Sequence, residues 1–422
     1  MTFDYSSLAL SCGADFPVIE TLDDVLPAIA GREEFVITEK SDGYIVVDYV
    51  YQTPATFGCL VNGSAEDVKH TMIRRELRGI KFRADNRRLL ARAWHKFFNL
   101  NERPETQADQ VDWSAKHIAL EKLDGSMVHA ADLPGGPVLM TMMGVTSVAQ
   151  AAMDFGFRQS GIPYLEFCRD ALDNGFVPIF EWCSPQNQIV VRYQSDQLIM
   201  TGLRQLSTGR YVLHHDLYRI GEYYGVPVVR AYGGSLEDLE AFVEHTRALT
   251  NFEGYIVAFD TGNRLKLKAD EYVRFHRAKD NLMLEKDVLQ IILREEDDDL
   301  AAKLPDGDRQ ALTDFAAEVR TGLARIARQI EDQVRDGMAG VGNDMKRFAI
   351  EVAPAFPPMT KEICFSVARG ASAYEKLAQL ALKGSMSSTR IEEACQLWGG
   401  ARWKTYWNFG PVLPQPDSLE LV

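Results

Sequence analysis

No Cys-x-x-Cys pair occurs among the six cysteines, Cys12, Cys59, Cys168, Cys183, Cys364 and Cys395, so neither a zinc site nor a disulfide framework is signalled and all six read as ordinary thiols. The eight histidines form no His-Glu-x-x-His segment and no metal-ligand spacing, and His214-His215 reads as a loop or strand pair. No Gly-x-x-x-x-Gly-Lys-Ser/Thr loop exists to cradle phosphates, and Gly340-Val341-Gly342 lacks the third glycine of a dinucleotide fingerprint. No run approaches the roughly 20 apolar residues needed to span a bilayer, and Met1-Thr2-Phe3-Asp4 lacks the basic start of a signal peptide, so a cytoplasmic protein without membrane contact is expected. Positive charge is also scarce. With 46 Lys and Arg against 60 Asp and Glu, the net charge is −14, which argues against non-specific coating of polyanions.

What is present is enough apolar material, 46% of 422 residues, to bury the cores of two or three domains. One stretch reverses the charge balance. Residues 69 to 96 carry ten Lys or Arg against only Glu76 and Asp85, and the plain reading of that run is a solvated charged face. From about residue 34 to 270, short alternating or apolar runs dominate, such as Tyr44 to Tyr51 and Gln188 to Tyr193, and these read as strands. Helical segments interrupt them around 148 to 174 and 235 to 249, which predicts an α+β fold of antiparallel sheets with packed helices.

Beyond residue 280 the pattern changes to a helical one. Leu312, Phe315, Val319, Leu323, Ile326, Ile330 and Val334 share one helix face, and two further helices are expected near 361 to 383 and 388 to 398 after a break at Pro354, Pro357 and Pro358. The expected domains are therefore 1–280, α+β, and 281–422, all-α, joined near residues 276 to 290.

The sharpest local signal is Glu121-Lys122-Leu123-Asp124-Gly125-Ser126, a Lys-x-Asp-Gly sequence, but Lys40-Ser41-Asp42-Gly43 repeats the tetrapeptide. The first copy stands directly before an alternating strand, where Asp-Gly is the expected hairpin turn. The second is followed in order by Phe180-Glu181-Trp182, Glu253-Gly254-Tyr255 and Lys266-Leu267-Lys268. With those segments the chain resembles the covalent nucleotidyltransferases. The extensions Ser184-Pro185-Gln186-Asn187-Gln188-Ile189-Val190 and Ala269-Asp270-Glu271-Tyr272-Val273 are similar to the phage RNA ligase 1 family of the T4 type, as are Arg78-Gly79-Ile80-Lys81-Phe82 and His95 to Glu102. This resemblance covers about residues 44 to 300.

The resemblance implies an ATP-dependent RNA ligase that joins a 5′-phosphate to a 3′-hydroxyl, with Lys122 as the nucleophile that takes AMP. It implies that Lys266 and Lys268 contact phosphates, that Arg78 and Lys96 help bind ATP, and that Asp124, Gly125, Tyr49, Phe98 and Tyr272 border the nucleotide. Glu181 becomes a nucleotide contact, and Glu253 lies near a Mg²⁺ ion. A second metal ligand is expected in Glu295-Glu296-Asp297-Asp298-Asp299, at Asp298, unless that run is only a charged helix surface. Chemically, a lysine nucleophile must be neutral, and the expectation is that Lys266, Lys268, Arg78 and Lys96 surround Lys122 and favour that form. One departure is plain: Met143 stands where the family carries a basic residue. The family's usual substrate implies nicked tRNA in phage-infected cells, and a monomer is expected. DNA ligases and mRNA capping enzymes place a β-barrel after the last lysine segment, where this chain reads as helical; a non-catalytic RNA-end binder would lack the lysines retained here.

Overall fold

A computed structural model describes the chain apart from residues 1–2, 14–15, 62, 188, 192, 233–238, 274–275, 277–283, 303, 305, 387–389 and 404–422. Its internal contacts divide it into one unit within Met1–Val273 and another within Arg274–Val412.

The described part of the first unit holds three sheets. In the first, β1 (Phe35–Lys40), β2 (Tyr44–Tyr49), β3 (Ile80–Arg83) and β4 (Leu89–Ala91) lie in sequence order and antiparallel. Lys40 pairs with Tyr44 across the hairpin, and Gly43 takes φ +84°, so the first Lys-x-Asp-Gly is the turn its sequence predicts. The second sheet runs β10-β9-β7-β8 and the third β11-β6-β12-β13-β5, built from β5 (Phe98–Asn99), β6 (His117–Glu121), β7 (Ser126–Leu133), β8 (Gly136–Met140), β9 (Phe176–Cys183), β10 (Gln197–Gln205), β11 (Ala231–Tyr232), β12 (Gly254–Phe259) and β13 (Arg264–Lys268). All pairings are antiparallel except the edge pair β13 with β5. The helices Ser147–Asp154 and Tyr164–Asp173 cover the second sheet with Ala149, Ala152, Phe167 and Ala171, which are entirely buried. The α+β class expected from the strand and helix patterns is therefore what forms.

Between β2 and β3 lies the helix Ala65–Glu76. Ser64 caps it, accepting from Asp67 N at 3.1 Å while Asp67 accepts from Ser64 N at 3.3 Å. This helix and the strands after it overturn the plain reading of the basic run. Arg74, Arg75, Lys81 and Arg92 are buried, not solvated, because they meet internal acceptors: Arg75 bonds Glu105, and Glu76 sits between Arg92 at 2.9 Å and Arg204 at 2.8 Å. Two further expectations fail. His214 opens the helix His214–Tyr224 rather than a loop or strand. Residues 189 to 191 form no strand; the backbone N–H groups of Val190 and Val191 both donate to Asp124 Oδ2 at 2.6 Å, which takes them out of any ladder, while Gln188 and Arg192 lie outside the described residues.

The described part of the second unit is helical. The helix Asp306–Gly340 buries Leu312, Phe315, Val319, Leu323, Ile330 and Val334, with Ile326 half-buried, as the period of three and four requires. Gly322 lets the Trp398 backbone approach this helix, since an added Cβ would collide with the Trp398 carbonyl. Lys361–Val367, Ala373–Gly384, Ile391–Ala394 and Cys395–Trp398 close the core. The expected junction near 276 to 290 falls partly on residues outside those described, 277–283. No helix among the described residues is long and apolar enough to cross a membrane.

Candidate active site

The site begins with strand register. Glu121 at the end of β6 lies opposite Tyr255 of β12, and Gly254 lies opposite Lys268 of β13. Lys122 continues the ladder by donating its N–H to the Gly254 carbonyl at 2.9 Å, and Ala269 N donates to the Glu253 carbonyl at 3.0 Å. Three neighbouring strand ends, spaced about 4.8 Å apart, thereby set Lys122, Glu253 and Lys268 side by side. Glu253 Oε1 lies 2.7 Å from Lys122 Nζ and 3.0 Å from Lys268 Nζ. The carboxylate is buried at 3% exposure, whereas the lysines keep 20% and 27% and so face both the acid and the open site. Gly254 adopts φ +141° and presses on the backbone of β13, where a Cβ would run into the Leu267 carbonyl; Glu-Gly-Tyr needs its glycine for that approach.

The rest of Lys-x-Asp-Gly is knotted into the unit. Asp124 is buried; its Oδ2 accepts from Val190 N and Val191 N, its Oδ1 accepts from the Tyr272 hydroxyl at 2.7 Å, and its own N–H donates to the Tyr193 hydroxyl at 2.9 Å. Both carboxylate oxygens of Asp124 are thus engaged by the protein itself, and Tyr272 anchors Asp124 while its ring lies under Lys268 Nζ at 5.0 Å. Gly125 passes β9 so closely that a Cβ would meet the Trp182 carbonyl at 2.5 Å and Cys183 Sγ at 2.9 Å. This contact locks the lysine segment to Phe180-Glu181-Trp182.

Lys122 opens on a cleft of about 700 Å³, within the usual range of about 300 to 1,000 Å³ for small-molecule sites. Leu120, Ile256 and Val229 line its apolar part, and Tyr49, Arg78, Gly125, Glu181 and Lys266 are also on its wall. Lys96 and Phe98 are not. They line a separate cavity of about 390 Å³, and Phe98 is buried beneath the guanidinium groups of Arg75 and Arg103 at 5.0 and 4.7 Å, with Lys96 Nζ at 5.5 Å. An aromatic so covered is a platform for cations, not a nucleotide contact in this arrangement. Lys96 also donates to Gln52 Oε1 at 2.8 Å and sits 5.9 Å over the Tyr49 ring.

Electrostatics correct the expectation of a lysine among cations. Burial pulls the Lys122 amine down, but Glu253 and Glu181 outweigh it and hold its pKa above the ordinary value. The cationic neighbourhood belongs to Lys266 instead. Burial, Arg78, Lys122, Lys96 and Lys268 together push Lys266 down to about 7, and burial with Arg78 pushes Lys96 to about 8. Glu181 is pushed up to about 8 by burial, with Glu253 and Asp124 adding to the rise and Lys122 opposing it. The cleft therefore holds a charged Lys122–Glu253 pair and, beside it, groups whose protons are loosely set at neutral pH.

Met143, where the resemblance led us to expect a basic residue, lines the cleft and is 66% exposed. Asp298 is exposed on the short helix Asp297–Ala301 of the second unit, next to Asp297, which pairs with Arg320 at 2.6 Å. Among the described residues no group of three or more His, Cys, Asp or Glu side chains is arranged to hold a metal. Sequence reading missed several wall residues, among them the polar or aromatic Asp48, Trp94 and Arg264. Arg264 was accessible in principle, because strand alternation puts it on the same face of β13 as Lys266 and Lys268. Its guanidinium lies 4.3 Å over the Trp94 ring.

Residues 76–275 match the family model described as RNA ligase. A protein of Thermovibrio ammonificans named "Putative RNA ligase" is 32% identical over 266 residues, 61% of this chain and 64% of that one. RNA ligase 1 of bacteriophage TS2126 is 26% identical over 267 residues, 61% of this chain and 62% of its own. Among solved structures, an archaeal ATP-dependent RNA ligase (form 2) gives a TM-score of 0.42 at 16% identity, covering 64% of each chain. The chain spans less than two thirds of the length of these relatives. The resemblance first carried by Lys122, Glu181, Glu253 and the Lys266–Lys268 pair is borne out: residues 76–275 match the RNA ligase family model, and the relatives that match this chain are named RNA ligases.

Proposed function

We propose that the protein is an ATP-dependent RNA ligase acting through lysyl-AMP at Lys122 and then an RNA 5′-adenylate. The observation that carries this reading is the Lys122 amine at the edge of a 700 Å³ cleft, 2.7 Å from Glu253, with Arg78 and Lys266 on the same wall. The apolar surface of Leu120, Ile256 and Val229 suits a base, and the cations suit a triphosphate whose charge grows as phosphoryl transfer proceeds. Because Glu253 holds Lys122 protonated, the amine must lose a proton before it attacks the α-phosphorus, and Glu253 is the acceptor within reach. The phosphorus–nitrogen bond forms as the bond to pyrophosphate breaks. AMP then passes to the RNA 5′-phosphate, and the 3′-hydroxyl displaces it.

Mg²⁺ would neutralise phosphate charge, and it commonly binds through one or two carboxylates together with substrate phosphates. Glu253 and Glu181 are the acids proposed for it, with Lys266, Lys268 and Arg78 as phosphate contacts and Tyr49 beside the nucleotide. The helical second unit is proposed to select RNA, with tRNA nicked in the anticodon loop as the substrate and the monomer as the working form, in the cytoplasm of an infected host cell. Among the described residues after Lys268 there is no strand, which favours this reading over a DNA ligase or a capping enzyme with a β-barrel at that point. Incubation with α-labelled ATP should give an AMP–protein adduct that seals nicked tRNA. Labelling by GTP alone, or normal adenylylation without sealing of any RNA, would overturn it.

A further inference from the structure

Lys81 lies in the middle of β3 and is fully buried, yet no carboxylate among the described residues pairs with its amine. Its Nζ reaches out of the first sheet to His129 Nε2 of β7 at 2.9 Å, and to the backbone carbonyls of Thr141 at 2.6 Å and Met142 at 3.2 Å. His129 Nδ1 faces the Ala130 carbonyl at 3.3 Å, and burial beside Lys81 keeps the ring neutral, so Nδ1 carries the hydrogen and Nε2 accepts. An ammonium has three N–H donors, and here three acceptors converge on it. The set is complete only for the charged form, although burial pushes Lys81 down to about 7 against the pull of Asp48, with Lys40 adding to the fall.

The carbonyls that Lys81 holds open the tight turn Thr141 to Gly144, closed by Thr141 N to Gly144 O at 2.9 Å. Thr141, Met142 and Met143 from this turn line the cleft. Gly79, two residues before Lys81, presses on the same place, since a Cβ there would collide with the backbone of Met142. On the cleft side, Arg78 Nη2 donates to Met142 Sδ at 3.9 Å. One short segment, Arg78 to Lys81, therefore grips Met142 from its backbone and its side chain, and Arg78 is the end of that grip exposed to the cleft.

We propose that Lys81 is a positioning residue: it fixes the Thr141–Gly144 turn and, through Met142, the Arg78 guanidinium, and so sets the affinity of the cleft for the phosphates of a nucleoside triphosphate. This rests on reading the cleft as a nucleotide site. Lys81→Met keeps the length and removes the donors. Titration calorimetry with ATP and Mg²⁺ should show binding weakened about tenfold, the size of a lost contact to a charged group, while the rate of self-adenylylation at saturating ATP stays within about twofold. Arg78→Ala should weaken ATP binding at least as much, and adding Lys81→Met to it should change nothing further, because the two act through one contact. His129→Leu removes one acceptor and gives a smaller loss of the same kind, which keeps the test usable if Lys81→Met does not fold.

Wild-type affinity in Lys81→Met, or a full second loss on the Arg78→Ala background, would overturn the proposal. Wild-type protein that binds ATP without forming an adduct would strike the ligase reading alone; wild-type protein that does not bind ATP would strike both.

Discussion

The chain contains the same chemistry-bearing tetrapeptide twice, and the two copies differ in everything except sequence pattern. Lys40-Ser41-Asp42-Gly43 turns the hairpin between β1 and β2; Ser41, Asp42 and Gly43 are exposed, and Gly43 needs only its left-handed φ of +84°. Lys122-Leu123-Asp124-Gly125 leaves a strand that has neighbours on both sides, so its lysine meets a buried glutamate, its aspartate collects three donors and its glycine touches β9. A motif of four residues acquires chemistry from the strand ends around it. Alone it is a turn.

That contrast can be broken by paired substitutions. The largest difference should come from the lysines: Lys122→Ala should abolish the AMP adduct formed with labelled ATP, and Lys40→Ala should leave its yield unchanged. An adduct on Lys122→Ala would end the distinction between the copies. Next come the glycines. Gly125→Ala must push apart Trp182 and Cys183 and should cost about 3 kcal/mol in urea unfolding, whereas Gly43→Ala bears only a left-handed backbone penalty of about 1 kcal/mol.

The aspartates should follow. Asp124→Asn turns an amide toward the N–H groups of Val190 and Val191 and should lower stability by about 2 kcal/mol, while exposed Asp42→Asn should shift no urea midpoint. The smallest effect is a slope. Glu181 has a folded-state pKa of about 8 against an ordinary 4.5, so the native state holds its proton longer than the unfolded chain. Its contribution to stability is whole below about pH 4.5 and is lost as pH rises through about 8. Urea midpoints measured across that window should fall with pH in the wild type and fall less in Glu181→Gln. Equal slopes would mean that Glu181 is not held in the acid form.

Much of the fold was legible because its signals are local. The apolar run from Tyr44 to Tyr49 and the helical repeat from Leu312 to Val334 both concern residues a few positions apart. The run from Gln188 to Tyr193 misled for the opposite reason. Its apolar residues suit a strand, but a carboxylate 66 positions away claimed the Val190 N–H. The basic stretch from 69 to 96 misled likewise, since Arg74, Arg75, Lys81 and Arg92 found buried acceptors that no local pattern announces.

By itself, then, the sequence determined which residues could do chemistry and where most of the strands and helices would form, because side-chain type and short-range periodicity are written in it directly. Only the tertiary structure decided that Lys122 would stand against Glu253, that the cations would gather around Lys266, and that Phe98 would be covered by arginines rather than open to the cleft. Those outcomes depend on strand register and burial, which bring Lys122 to Glu253 and Arg78 to Lys266 across more than a hundred positions and set the local dielectric, and neither quantity can be read along the chain.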